Sequence, residues 1–184
     1  MLRFFASNDL DEYTIADLKS QGSAISAWGV GTKLITADGT SALGGVYKLA
    51  GQWKTDGSFV PTMKFSDNVE KVTNPGRKKV LRLINRRNRK LIGDLVCLLD
   101  ETIDTTKPYT FQNAMYPWKR THLAADSFDV VELLVPIFEN GELVYNVPSL
   151  PEIVSYANEQ IKLLWPEYFR LNRPPIVKVN ISQN

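Results

Sequence analysis

The sequence is poor in the residues that build redox, metal or nucleophilic sites, with one cysteine, Cys97, and one histidine, His122, in 184 residues. A single cysteine cannot form an internal disulfide, so we expect a reducing compartment, the cytoplasm. One histidine and one unrelated cysteine give no metal-ligand spacing and no Cys–His pair, and no serine lies in a nucleophile-elbow pattern. We therefore expect no catalytic residue and no metal site here, and a structural or surface role for His122.

Long apolar runs and an excess of one charge are also missing. No apolar stretch approaches the ~18 residues of a membrane span, and the first residues show no signal-peptide pattern, so we expect no membrane partner. Lys and Arg number 22 against 20 Asp and Glu, and the net charge of +2 does not imply nucleic acid. With 43% hydrophobic residues the chain needs no metal or disulfide to build a core.

Eight of the 22 basic residues lie between Arg77 and Lys90. A nucleic-acid surface would need aromatic or base-reading neighbours, and this stretch has none. Apolar residues intervene, which favours a strand followed by a solvated turn at residues 86–89. We expect nearby acids to neutralise much of this charge, and we do not expect nucleic acid as a partner. The acids in question are Asp94, Asp100, Glu101 and Asp104.

The first 45 residues have the pattern of a parallel βαβ unit. We predict a strand over residues 2–6, a helix over 11–21 that ends at Gly22, and a second strand over 24–28. A strand–helix–strand run of about thirty residues is typical of parallel strands joined by a crossover helix. This part of the chain is therefore expected to be α/β.

Residues 46–184 have the pattern of a β-rich α+β domain that ends in a helix. The capping-box pair Ser149 and Glu152 begins that helix and Pro166 ends or kinks it. Asn140-Gly141 is a strong hairpin signal. Residues 101–127 show little period and are predicted as a long loop or irregular layer. The predicted strands cover 46–53, 60–65, 79–85 with 91–99 as a hairpin, 130–138 and 143–147.

Two predicted turns in the first part could bind an anion. Glycines in Gly29-Val30-Gly31-Thr32 let successive backbone N–H groups converge on one phosphate, and Ser7-Asn8-Asp9 follows the preceding strand. In parallel α/β folds both turns lie at the carboxyl edge of the sheet, where ligands bind. The plainer alternatives stay open, because paired glycines often make only a tight connection. One of Asp9 and Asp11 is expected to cap the helix and the other to be available for ribose hydroxyls.

At these two turns the chain resembles the C-terminal part of nicotinate phosphoribosyltransferase. The resemblance is specific over residues 6–36, ASNDLDEYTIADLKSQGSAISAWGVGTKLIT, and supported by three later stretches. These are ALGGVYKL at 42–49, KVTNPGRKKVLRL at 71–83 and FDVVELLVPIFENGELVYNVPSLPEI at 128–153. It implies the last βα units of an irregular type II phosphoribosyltransferase α/β barrel over residues 1–45, and a β-rich C-terminal domain over 46–184.

The resemblance also implies a reaction and a set of site residues. Enzymes of the family join nicotinate to phosphoribosyl pyrophosphate, with ATP hydrolysis and Mg²⁺, and form nicotinate mononucleotide for NAD biosynthesis. By motif, Asn8 and Asp9 would face the ribose, and backbone amides of Gly29, Gly31 and Thr32 would hold the 5′-phosphate. This agrees with the anion site inferred from the two turns, 7–9 and 29–32, which we call the phosphate cradle.

The chain departs from the family pattern because several of the family's site residues lie upstream of the matching region. These are the histidine that becomes phosphorylated, which His122 does not match, and the arginine and acid groups around nicotinate and pyrophosphate. Two barrel strands also cannot close a barrel. We therefore expect a C-terminal fragment that is inactive alone, binds ATP and Mg²⁺ weakly if at all, needs the missing N-terminal part as partner and could form homodimers. The alternative is a non-catalytic phosphate-binding, nucleotide-binding or assembly module derived from that fold.

Overall fold

The structure is a computed structural model that describes residues 3–67, 72–113, 116 and 118–182. Two compact units are present, one made of Met1–Tyr47 with Leu171–Arg173, the other of Lys48–Arg170 with Pro174–Asn184. The sequence-based boundary near residue 45 lies close to the division between Tyr47 and Lys48. Leu2, where we expected the first strand to begin, and Lys71, in one of the family-like stretches, lie outside the described residues.

The first unit is built as a parallel βαβ motif, which confirms the pattern seen in its sequence. Its elements are β1 (Phe4–Ser7), α1 (Glu12–Ser20), β2 (Ile25–Gly29) and the short α2 (Thr32–Ile35). Strands β1 and β2 pair in parallel, with Ser7 opposite Gly29 at their carboxyl ends. Gly22 follows α1 with φ +80°, as a residue without Cβ can do readily. Among the described residues of this unit only Leu10 is buried.

The second unit contains a six-stranded, mostly antiparallel sheet. The strands of this unit are β3 (Gly51–Trp53), β4 (Phe59–Pro61), β5 (Lys78–Asn85), β6 (Leu91–Leu98), β7 (Tyr109–Asn113), β8 (Arg120–Leu123), β9 (Phe128–Glu132), β10 (Phe138–Glu139), β11 (Glu142–Leu143) and β12 (Val179–Ile181). The spatial order of the sheet is β8-β7-β12-β6-β5-β9, with β12 parallel to β6. Two small hairpins, β3–β4 and β10–β11, lie outside it.

One helix of this unit was predicted from its caps and is found where expected. Helix α3 covers Leu150–Leu163, and the backbone N–H and hydroxyl of Ser149 both donate to the Glu152 carboxylate, at 2.7 and 2.6 Å. A 3₁₀ turn, Pro166–Phe169, follows it, so Pro166 does end the α-helix. In the described part of the chain no helix is long and apolar enough to cross a membrane.

Several expectations about strands in this unit are wrong. The strands predicted over 60–65, 130–138 and 143–147 are shorter in the structure, where they correspond to β4 (Phe59–Pro61), β9 (Phe128–Glu132) and β11 (Glu142–Leu143). The segment 101–127 is not a loop throughout, because it contains β7 and β8, in which Phe111 lies fully buried between half-buried neighbours. Residues 46–50 form no strand, so β3 begins only at Gly51. Strand β12 was not predicted. It lies between β6 and β7, and such a three-residue strand depends on its two partners rather than on its own pattern.

The core of the second unit lies on one face of the six-stranded sheet. Side chains alternate between the two faces of each strand, and the side chains on this face form one buried cluster. Its members are Leu81, Leu83, Leu95, Cys97, Phe111 and Phe128. Gly93 sits in the middle of β6, where an added Cβ would lie 3.1 Å from the Lys178 carbonyl oxygen. The close approach of β12 therefore explains a glycine inside a strand.

The opposite face of the sheet carries polar contacts to α3. Arg82 forms two hydrogen bonds with the Asp94 carboxylate across the β5–β6 pair, at 2.8 and 2.9 Å, and a third to Gln160 of α3. Lys90 donates to the carbonyls of Lys162 and Leu164 at the carboxyl end of that helix. A cation at this end satisfies carbonyls that the helix leaves without partners.

The basic stretch between Arg77 and Lys90 forms a strand and a turn, as its sequence indicated. Its charge is neutralised only partly by the expected acids, since Asp94 pairs with Arg82. Arg86 and Arg89 instead pair with Asp129 of β9, which the sequence separation had concealed. These pairs hold the β5–β6 turn against β9.

The buried set described above predicts a large cost for truncating its centre. Leu95 is 0% exposed, and we expect Leu95→Ala to lower the free energy of unfolding by about 3 kcal/mol, through lost burial and a residual cavity. Leu143→Ala is the matched control, because Leu143 is 55% exposed and its truncation should cost less than about 0.5 kcal/mol. Urea unfolding followed by circular dichroism measures both, and equal losses would contradict this description of the core.

Candidate functional site

The two turns at the carboxyl ends of β1 and β2 enclose one cavity. Because the strands are parallel and Ser7 lies opposite Gly29, the chain leaves both strands at the same edge. The cavity has a volume of about 450 Å³. Its lining consists of Ser7, Asn8, Asp9, Leu10, Gly29, Val30, Gly31, Thr32 and Lys33.

All five residues predicted from the sequence line this cavity, namely Asn8, Asp9, Gly29, Gly31 and Thr32. The structure therefore brings together two turns that are twenty residues apart in sequence, and their ligand remains a prediction. Four further residues line the cavity, namely Ser7, Leu10, Val30 and Lys33. Ser7 and Val30 belong to the two predicted turns but were not named as site residues, and Leu10 and Lys33 directly follow those turns, so extending each turn by one residue would have found them.

The turn after β1 has an unusual backbone. Asn8 and Asp9 have φ of 98° and 45°, two consecutive positive values at residues other than glycine. Asn and Asp adopt this region more readily than other side chains, and such strain clusters at ligand sites. Leu10 follows and is buried, 7% exposed, so the turn is anchored by an apolar side chain immediately after the two polar ones.

The capping role that the sequence left open belongs to Asp11. Its carboxylate accepts a hydrogen bond from the backbone N–H of Thr14 at 2.7 Å. That bond, together with the Thr14 hydroxyl, holds the pKa of Asp11 below its usual range. Asp9 is therefore not the cap, and it lies on the cavity wall instead.

The turn after β2 combines a close approach with the start of a helix. A Cβ at Gly29 would lie 2.8 Å from the ring of Phe5 and 3.1 Å from the Cβ of Ser7, whereas at Gly31 it would meet nothing within 4 Å. The carbonyl of Gly31 accepts from Leu34 and Ile35, at 3.1 and 3.0 Å, as α2 begins. Thr32 and Lys33 are the first two residues of this helix, so their N–H groups have no hydrogen-bond partner within it. Backbone donors thus lie at the cavity wall.

Lys33 is the basic residue of the cavity lining, and its ammonium group forms an ion pair with the Asp38 carboxylate. The hydrogen bond to Asp38 and its charge raise the pKa of Lys33, and the charges of Asp11 and Asp9 act in the same direction. The lysine is therefore fully protonated at neutral pH. It lies within electrostatic reach of the Asp9 carboxylate on the same wall.

The histidine and the cysteine take no part in the cavity lining. His122 lies on β8 of the second unit, where its Nδ1 is 2.8 Å from the Thr110 hydroxyl. Cys97 is buried in the core of the second unit, and burial raises the pKa of its thiol, which makes it a poor nucleophile. Within the described ranges no three His, Cys, Asp or Glu residues come together in a way that could hold a metal ion.

Comparisons with known proteins match the larger part of this chain to one family. Residues 77–184 match the model of the nicotinate phosphoribosyltransferase C-terminal domain. A nicotinate phosphoribosyltransferase of Bacillus subtilis is 42% identical over 182 residues, which are 99% of this chain and 36% of that protein. A nicotinate phosphoribosyltransferase of Caenorhabditis elegans is 35% identical over 97% of this chain and 31% of its own length.

One solved structure has a similar fold over nearly the whole length of this chain. The crystal structure of human nicotinic acid phosphoribosyltransferase matches with a TM-score of 0.66 at 24% identity, covering 99% of this chain and 31% of that one. The chain thus spans about a third of the length of the relatives that it matches.

The Asp11 cap predicts a pH-dependent start of α1. Because the folded pKa is lowered, the cap bond is present above the unfolded carboxyl pKa of about 3.9 and is lost as the pH falls through the lower folded value. We expect the Thr14 amide, followed by NMR hydrogen exchange, to lose protection over that acidic range. Asp11→Ala should show low protection at neutral pH, whereas Asp11→Asn should keep it without the acid titration. An unchanged Thr14 amide in Asp11→Ala would contradict the cap.

Proposed function

This chain belongs to the family of nicotinate phosphoribosyltransferase C-terminal domains, as its sequence resemblance indicated, and from that premise we propose that its first unit supplies the ribose-phosphate part of a nicotinate phosphoribosyltransferase site. The observation that carries the proposal is that the five motif residues, from two separate turns, line one cavity at the carboxyl edge of parallel strands. In the same proposal, β1 and β2 are late strands of a type II phosphoribosyltransferase barrel.

The 5′-phosphate is proposed to bind to the turn after β2. The N–H groups of Gly29, Gly31 and Thr32, all on the cavity lining, are proposed to donate to the phosphate, and the missing Cβ of Gly29 lets the two strands approach closely. Hydrogen bonds from N–H groups to a charged phosphate are about twice as strong as neutral ones. Backbone donors can therefore contribute directly to phosphate binding, without a side chain that must be ordered on binding.

The ribose is proposed to bind to the turn after β1. With Asp11 engaged at the helix start, the Asp9 carboxylate is the acidic group on the cavity wall and can accept hydrogen bonds from two hydroxyl groups. Asn8 offers an amide donor and acceptor beside it. This places hydroxyl acceptors on one strand's turn and phosphate donors on the other's.

In the proposed reaction, the ring nitrogen of nicotinate forms a bond to the ribose C1 of phosphoribosyl pyrophosphate as the bond from C1 to pyrophosphate breaks, which gives nicotinate mononucleotide and free pyrophosphate. Hydrolysis of ATP, with Mg²⁺, accompanies this step in the proposal. The residues of this cavity would orient the ribose-phosphate, which is a catalytic contribution through positioning. Among the described residues no three His, Cys, Asp or Glu side chains come together, and we assign no Mg²⁺ ligand to this chain. We propose that the groups for nicotinate, pyrophosphate and ATP belong to the part of the relatives that this chain does not span.

A binding module without catalysis is the second candidate. The cavity lining offers amides, an Asn, an Asp and a Lys, but the cysteine and histidine lie in the second unit. Such a lining can bind a phosphate or nucleotide without supplying a nucleophile. The two candidates share the cradle and differ in whether a further chain completes a reacting site.

Direct binding tests the cradle that both candidates share. We expect inorganic phosphate and nicotinate mononucleotide to shift the NMR amide signals of Gly31 and Thr32 in the full chain. Gly31→Pro removes one N–H donor and should weaken binding at least tenfold. Gly44→Pro is the control, since Gly44 lies outside the cavity lining and an added Cβ would meet nothing within 4 Å. Equal binding by both variants, each shown to be folded, would overturn the phosphate role.

Turnover separates the two candidates. The 184-residue chain alone, incubated with nicotinate, phosphoribosyl pyrophosphate, ATP and Mg²⁺, is expected to form no nicotinate mononucleotide. Addition of a polypeptide that carries the remaining part of the Bacillus subtilis relative should restore formation if this chain is part of an enzyme. Clear turnover by the chain alone would show that it holds reacting groups not assigned here, and binding without restored turnover would favour the binding module.

A further inference from the structure

The charges on the cavity wall leave a phosphate poorly balanced. Of the nine lining residues, Asp9 carries the negative side chain and Lys33 the positive one. A phosphate ester carries a charge of about −1.5 to −2 at neutral pH, so the Asp9 carboxylate would repel a phosphate bound in the same cavity. Backbone amides contribute partial charges only. A full positive charge near the phosphate would offset both the ligand charge and that of Asp9.

Lys33 lies between two cavities, the proposed phosphate site and a neighbouring cavity with an acidic lining. It lines the phosphate cavity and also a neighbouring cavity of about 720 Å³, whose lining contains Asp11, Glu12 and Asp38. In the structure its ammonium group is paired with Asp38. The charge of Asp9 also acts on its pKa, although less than that of Asp38. The ammonium group is thus charged and close to the cradle, but it is paired with Asp38.

The ion pair with Asp38 is of a kind that a ligand can replace. The side chains of Lys33 and Asp38 are 41% and 56% exposed, and exposed pairs of this kind contribute little net stability. Lys33 directly follows Thr32, and its N–H group also has no partner within α2. A lysine side chain is flexible enough to move its ammonium group from one cavity to the other while its backbone stays in place.

We propose that Lys33 is a phosphate-binding residue of the cradle, and that Asp38 competes with the phosphate for its ammonium group. Without phosphate the lysine pairs with Asp38. With phosphate it donates to a phosphate oxygen beside the amides of Gly31 and Thr32, and Asp38 becomes solvated. Asp38 thereby lowers phosphate affinity, and it keeps the lysine charge satisfied when the cradle is empty. The proposal deepens the proposed function and rests on it.

Two substitutions of opposite expected effect test the competition in the full chain. Inorganic phosphate is titrated at one pH and ionic strength, and the amide shifts of Gly31 and Thr32 are followed by NMR. Lys33→Gln is expected to raise the dissociation constant about fivefold, the loss of one exposed charge contact. Asp38→Asn is expected to lower it about two- to threefold, because the lysine then has no competing carboxylate. Lys19→Gln and Asp17→Asn, both on α1 outside the lining, are the matched controls and should bind like the unaltered chain.

The outcomes distinguish this inference from the function on which it rests. If the unaltered chain binds phosphate and Lys33→Gln binds it equally well, Lys33 is not a ligand and the backbone cradle stands. If Asp38→Asn binds no more tightly than the unaltered chain, the competition is disproved. If the unaltered chain does not bind phosphate at the cradle at all, the proposed function itself fails, and the role of Lys33 fails with it.

Discussion

The parallel pairing of β1 with β2 is the constraint on which the candidate site depends. With Ser7 opposite Gly29, both strands end at one edge, and two turns separated by a whole helix become neighbours. The register is tight at this point, because a Cβ on Gly29 would enter the ring of Phe5 and crowd Ser7. An antiparallel pair would place the turns at opposite ends. The chemistry of the cavity therefore follows from strand direction before any side chain is considered.

The two units are stabilised in different ways, and this affects what each can do. The second unit has an alternating apolar face that packs Leu83, Leu95 and Phe111 completely away from solvent. The first unit has only Leu10 buried among its described residues, so its cavity is shaped by strand pairing, a helix cap and positive-φ turns. A cavity whose shape comes from the path of the backbone changes little when exposed side chains vary. It is correspondingly sensitive to anything that changes the path of the chain.

Local signals predicted the structure well wherever they were strong. Helix α1, the capping box of α3, the β5–β6 hairpin and the Asn140-Gly141 turn, with φ of 50° and 86°, are set by neighbouring residues. Strands β7 and β8 were missed because they are short and interrupted by polar residues, and β12 because its pairing partners are far away in sequence. The pairing of Arg86 and Arg89 with Asp129 was concealed for the same reason.

In the candidate site, too, residues within local motifs could be predicted, whereas contacts between residues further apart in sequence could not. Asn8, Asp9, Gly29, Gly31 and Thr32 could be named because each turn carries its own pattern, and the parallel fold brings the patterns together. Lys33 directly follows one of these turns, but its ion pair with Asp38 could not be predicted, because it depends on the path of the chain after α2. A carboxylate that suits ribose hydroxyls necessarily disfavours a neighbouring phosphate. If the cavity takes both groups, as we propose, a positive charge has to offset that of Asp9, and Lys33, whose ammonium group pairs with Asp38 in the structure, is the positive side chain of the lining that can do so.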